Sequence, residues 1–119
     1  MTEAQWPTLP MPSDEQERDP REPANVEYTL LVEQLVGSGN TMRWLAEPVT
    51  QQTWRARDRA RREAERCAWV FRPRHPMSEQ RRSVYRVSPD EYLTIIEGAT
   101  QTFSYRTLVA EPLGYLTAR

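Results

Sequence analysis

Polar and apolar positions along the chain follow two different periods. Between Val26 and Val36 the run VEYTLLVEQLV is rich in β-branched and aromatic residues. GSGN follows, and then TMRWLAEPV. Two strand-like runs about a turn whose glycines permit positive φ predict a β-hairpin. From Thr50 the period lengthens. Thr53, Ala56, Ala60, Ala64, Cys67 and Phe71 recur at spacings of three and four, which predicts one face of a helix. Thr50 is placed to cap that helix, and Val49 and Trp54 to staple its entry. Pro73 stops it, because the residue before a proline is pushed out of the helical region. Residues 68–72 read either as its last turn or as the start of a strand.

After the stiff connector RPRHPM the short period returns. RRSVYRV, YLTIIEG and TFSYRTLVAE predict a three-stranded meander. Ser88-Pro89-Asp90-Glu91 suits a type I turn with proline in second place, and Gly98–Gln101 forms the other turn. In the last strand Phe103, Tyr105, Thr107 and Val109 share one face. YLTIIEG is apolar on both faces, which points to a central, covered strand.

Two stretches end alike, LAEPV at Leu45–Val49 and VAEPL at Val109–Leu113. Tyr28–Val49 lies over Tyr92–Leu113 without gaps, matching Tyr28 with Tyr92, Glu33 with Glu97 and Ala46-Glu47-Pro48 with Ala110-Glu111-Pro112. The turns do not match. The shared tripeptide reads as a strand terminator, in which proline withdraws the next N–H from the ladder. An internal duplication accounts for the likeness equally well.

These elements predict an α+β fold: a two-layer domain with an antiparallel β-sheet and one helix packed on one face, in the order ββαβββ. The other face should be partly solvated unless a second copy covers it. The length of 119 residues suits one domain with a modest core. Residues 26–119 form that domain. Residues 1–25, with five prolines and six acids, read as a disordered acidic tail whose Trp6, Leu9 and Met11 are isolated apolar positions.

Charge sharpens the picture. The net charge is −1, but residues 1–25 carry −4 and residues 50–86 carry +7, from eleven arginines and four acids. There is no lysine, for which a GC-rich coding bias is the simplest account. On the predicted helix Arg55, Arg59, Arg62 and Arg66 form one stripe opposite the small-residue face, and Arg81 and Arg82 add charge on the next strand. Such a row can track phosphates or an acidic partner. A solvated helix face, diluted by Asp58, Glu63 and Glu65, accounts for it too.

Candidate chemistry is sparse. His75 lies between prolines with no orienting carboxylate in view. Cys67 falls on the buried helix face, where a small apolar role outweighs a nucleophilic one. Nothing has metal-ligand spacing, and no catalytic residue, metal or cofactor is assigned. The N-terminus has no secretory pattern, no stretch reaches membrane-spanning length, and one cysteine fits a reducing cytoplasm. The leading expectation is therefore a small non-catalytic interaction module, binding another protein or its own copy. Nucleic-acid or polyanion binding through the arginine row is the second reading. A ligand pocket or enzyme site between helix and sheet, near Tyr28, Trp44, Tyr92 or Tyr105, is the third.

Overall fold

A computed structural model describes residues 11–37, 39–73 and 78–118. The elements are α1 (Asp14–Glu17), β1 (Thr29–Val36), a 3-10 turn (Gly39–Thr41), β2 (Arg43–Pro48), α2 (Arg57–Val70), β3 (Glu79–Ser88), β4 (Glu91–Gly98) and β5 (Thr102–Ala110). The five strands form one antiparallel sheet in the order β2-β1-β5-β4-β3, and α2 packs on one face. This is the expected α+β arrangement. The hairpin and the meander join where β1 pairs with β5, Leu30 opposite Val109 and Val32 opposite Thr107.

The two AEP stretches stand in differently paired hairpins. In the hairpin Leu31 pairs with Pro48. The ungapped alignment would then pair Ile95 with Pro112, but Ile95 pairs with Ser104. The two hairpins therefore differ in register by several residues. The two stretches also end their strands differently: Pro48 is the last residue of β2, whereas β5 ends at Ala110, before Glu111 and Pro112. Pro48 sits on the edge strand β2, where a missing N–H costs no ladder bond on the solvent side.

The core lies between α2 and the sheet. Leu30, Val32, Tyr92, Ile96 and Tyr105 meet Ala60, Ala64, Cys67 and Ala68 across the layer. Ala60, Ala64 and Ala68 are fully buried, so the small-residue stripe does face the sheet and lets the helix lie close on it. Gly37 closes the hairpin turn at φ 106°, and a Cβ there would stand 2.4 Å from the Thr41 carbonyl oxygen. Only glycine meets both demands.

The helix differs from expectation at its start. It begins at Arg57 rather than near Thr50, with Ala56 as N-cap. Thr50 instead accepts a hydrogen bond from the Gln52 amide. Trp54 is no staple. It bridges to Tyr28 through paired backbone bonds of 2.7 and 2.8 Å, outside any helix. Thr53 is exposed and outside the helix. At the other end the helical reading of residues 68–70 holds, and Phe71 turns extended with its amide still donating to the Cys67 carbonyl.

The last carbonyls of a helix lack intrahelical partners. Here three strands supply them. Thr94 of β4 donates its hydroxyl to Ala68 O at 2.8 Å, and Tyr105 of β5 donates to the same oxygen at 2.6 Å. Arg82 of β3 donates to Trp69 O at 2.6 Å and to the Tyr105 hydroxyl at 3.2 Å. Phe71 packs edge-on against the Tyr105 ring at 5.1 Å.

Cys67 sits at this junction, buried and free. Burial pushes its thiol above the ordinary value. It should therefore react with a thiol reagent many-fold more slowly in buffer than in urea. Equal rates in the two conditions would place the thiol, and with it the helix face, in solvent.

Candidate functional site

The acidic N-terminal segment and the arginine row meet. Ser13 and Gln16 form a reciprocal capping box that starts the single turn of α1. That turn presents three carboxylates toward the entrance of α2. Asp14 accepts from the backbone amides of Arg55 and Ala56, the latter at 3.0 Å. Ala56 offers no side-chain cap, so a carboxylate some forty residues away in sequence serves the helix entrance. Glu15 pairs with Arg55 at 3.1 Å, and Glu17 pairs with Arg62. Arg59 donates to the Pro12 carbonyl at 3.2 Å, and Arg55 to the Ala24 carbonyl at 2.8 Å.

The sequence predicts a disordered acidic tail over residues 1–25, of which 11–25 are described. The structure gives residues 12–24 these defined contacts, because the helix entrance lacks a local cap and the segment carries one. Trp6 and Leu9 lie outside the described residues. Met11 is exposed.

The six arginines singled out from sequence separate into four environments. Arg55, Arg59 and Arg62 hold the N-terminal segment. Arg66 makes only a 3.8 Å pair with Glu63 and stays largely exposed. Arg82 has only one-tenth of its side chain exposed, pairs with Glu79 and grips the end of α2, so its role is structural. Arg81 pairs in register with Glu97 on the sheet face away from the helix. The row is thus three residues long where it holds the segment.

A second ion cluster escaped the sequence reading. Asp90, in the β3–β4 turn, accepts from Arg57 and from Arg61. Burial works to raise its carboxyl, but the hydrogen bonds from Arg61 and Arg57 outweigh this and hold it below the ordinary value. Arg57 also lies 5.6 Å from the centre of the Tyr28 ring. The pattern Arg57–Arg61 at i, i+4 was visible in the sequence. Its partner, on a turn between two later strands, was not. The cluster ties the first turns of α2 to the sheet.

A cleft of about 280 Å³ opens beside the helix, lined by Leu30, Val49, Trp54, Cys67, Val70 and Phe71 with Glu63 and Arg66. None of the four aromatic residues named for a pocket lines it. Tyr28, Tyr92 and Tyr105 are core, and Trp44 is on the opposite sheet face. No group of three or more His, Cys, Asp or Glu side chains suited to a metal occurs among the described residues, and His75 lies outside them. No described helix is long and apolar enough to cross a membrane.

No family model, curated protein or solved structure matches the chain.

Proposed function

We propose that the protein is a non-catalytic interaction module whose arginine row, Arg55, Arg59 and Arg62 at the entrance of α2, receives an acidic segment of a partner protein. Residues 12–24 hold that place within the chain. The supporting observation is the chemistry of the contacts. The guanidinium groups take the carboxylates of Glu15 and Glu17 and the peptide carbonyls of Pro12 and Ala24, while Asp14 accepts from the backbone amides of Arg55 and Ala56. Carbonyl acceptors favour a peptide over a nucleic acid, which makes polyanion binding the second reading. The Arg55–Glu15 pair is about half exposed, and in the Arg62–Glu17 pair the arginine is half exposed while Glu17 is mostly covered. Pairs of that kind each contribute about 0–1 kcal/mol, so the internal segment can exchange with a competitor. A tethered competitor acts at roughly millimolar effective concentration, which sets the affinity an outside partner must exceed. A cytoplasmic setting suits a domain with one free, buried thiol.

The test releases the segment without shortening the chain. The variant Asp14→Asn, Glu15→Gln, Glu17→Gln should bind a labelled peptide of residues 11–24 at least about tenfold more tightly than the parent, a gain of about 1.4 kcal/mol. Adding Arg55→Gln and Arg62→Gln should abolish the binding. Raised salt should weaken it, because exposed charges are screened. Identical, negligible peptide binding by all three proteins would refute the proposal. Retention on heparin or DNA without peptide binding would favour the polyanion reading instead.

A further inference from the structure

The sheet has a second face that no described element covers. Contacts of α2 reach β1, β3, β4 and β5 from one side, and no described element packs on the other. Residues pointing to that side are set by the register: Trp44 beside Leu35, Leu31 beside Leu108, and Leu93 beside Tyr85. Trp44 is 43% exposed and Tyr85 53%. Ile95 pairs with Ser104 in the same layer. The sequence reading took YLTIIEG as covered on both faces. Leu93 and Ile95 are instead only half-buried, on a face open to solvent.

Beyond β5 the chain leaves the domain as an extended arm, residues 111–118, with every residue exposed. Leu113 and Tyr115 are each 91% exposed and Leu116 fully so. Three large apolar side chains, each at least nine-tenths exposed within eight residues, are unusual for a chain on its own.

We propose that the open sheet face is the docking surface for the C-terminal arm of a second copy of this chain, in a reciprocal, two-fold exchange. The chain carries both halves of the contact, as an isologous interface requires. The dimensions agree. Eight extended residues reach about 26 Å, and five strands at about 4.8 Å spacing span about 19 Å between the edge-strand axes. A strip of that length and about 10 Å width buries roughly 260 Å² on each of two surfaces, so two arms bury roughly 1,000 Å², the threshold for a specific interface. Charge agrees as well. Glu111 is the arm's one charged residue. Arg106 stands on the middle strand of the face, 43% exposed and only 3.8 Å from Glu91, with donors left to offer. This inference uses neither the arginine row nor its segment, so it stands or falls independently of the proposed function.

Sedimentation equilibrium of the full chain tests it. The full chain should be dimeric. The intact-length variant Leu113→Ser, Tyr115→Ser, Leu116→Ser should dissociate at least about tenfold more readily. So should Trp44→Glu with Tyr85→Glu, two exposed positions whose change should leave the melting curve in place. Mixing the two variants should recover part of the association, through a single contact between the intact face of one and the intact arm of the other. A monomeric full chain, including one whose arm is protected on its own sheet, overturns the proposal. So does an arm variant that dimerises as well as the parent, or a mixture that does not associate.

Discussion

Tyr105→Ala should lower the melting temperature by roughly 12–30 °C, the equivalent of about 3–5 kcal/mol for an aromatic removed from a core. Tyr105 is the largest fully buried side chain and lies on the middle strand. Its ring packs against Phe71, and its hydroxyl donates to the Ala68 carbonyl and accepts from Arg82. Alanine would leave a cavity, deprive the end of α2 of an acceptor's partner, and strand part of the Arg82 guanidinium. A small domain holds only about 5–15 kcal/mol in total, so the loss is a large fraction of it. Tyr105→Phe keeps the ring and should cost only about 0.5–1.5 kcal/mol, the net worth of a hydrogen bond, because Thr94 still donates to the Ala68 carbonyl. Burial pushes the Tyr105 phenol up to about 12, from an ordinary value of 10.0. The folded state therefore keeps the proton that the unfolded chain loses first. The stability from this group is complete below pH 10 and declines as pH rises toward 12. Thermal melts by circular dichroism settle the point. A Tyr105→Ala variant melting within a few degrees of the parent would mean that the helix end is held by something else.

Ala64→Leu should cost about 1–3 kcal/mol, or roughly 4–20 °C, because added volume at a close helix–sheet contact forces strain. Ala64 is fully buried, one turn from the equally buried Ala60 and Ala68. The helix lies close to the sheet only because these three side chains are methyl groups. Arg66→Leu is the control on the solvent side, with its side chain 75% exposed. It should stay within about 0.5 kcal/mol of the parent. Equal effects at the two positions would mean that the helix has been placed with the wrong phase.

The stability of α2 comes from its surroundings more than from its own ends. Ala56 gives no cap and Val70 is followed directly by extended chain. The entrance is served by Asp14 and the exit by Thr94, Tyr105 and Arg82. Both sets of partners come from other elements. That arrangement joins the proposed function to the fold. The groups that would receive an outside acidic segment are those that receive the internal one, so partner binding has to replace a helix-entrance contact rather than merely add a new one.

Local periodicity alone determined the strands, their turns and the buried stripe of α2. Phe103, Tyr105, Thr107 and Val109 share a face because side chains alternate along a strand, and Ala60 and Ala64 share one because a helix repeats every few residues. Those facts need only neighbours in the sequence. What the tertiary structure decided depends on groups far apart in the chain. Thr50 to Ala56 satisfies a helical pattern, yet the backbone of Trp54 is claimed by Tyr28, and a pair of ladder bonds outweighs the capping preference of one threonine. The pairing of β1 with β5 closed one sheet from two motifs and fixed which face of each strand stayed open. The six arginines looked alike as one basic surface. Their partners divided them: Asp14, Glu15 and Glu17 came from a segment whose composition promised no order, and Arg82 was drawn to a helix end that only the packed layer creates.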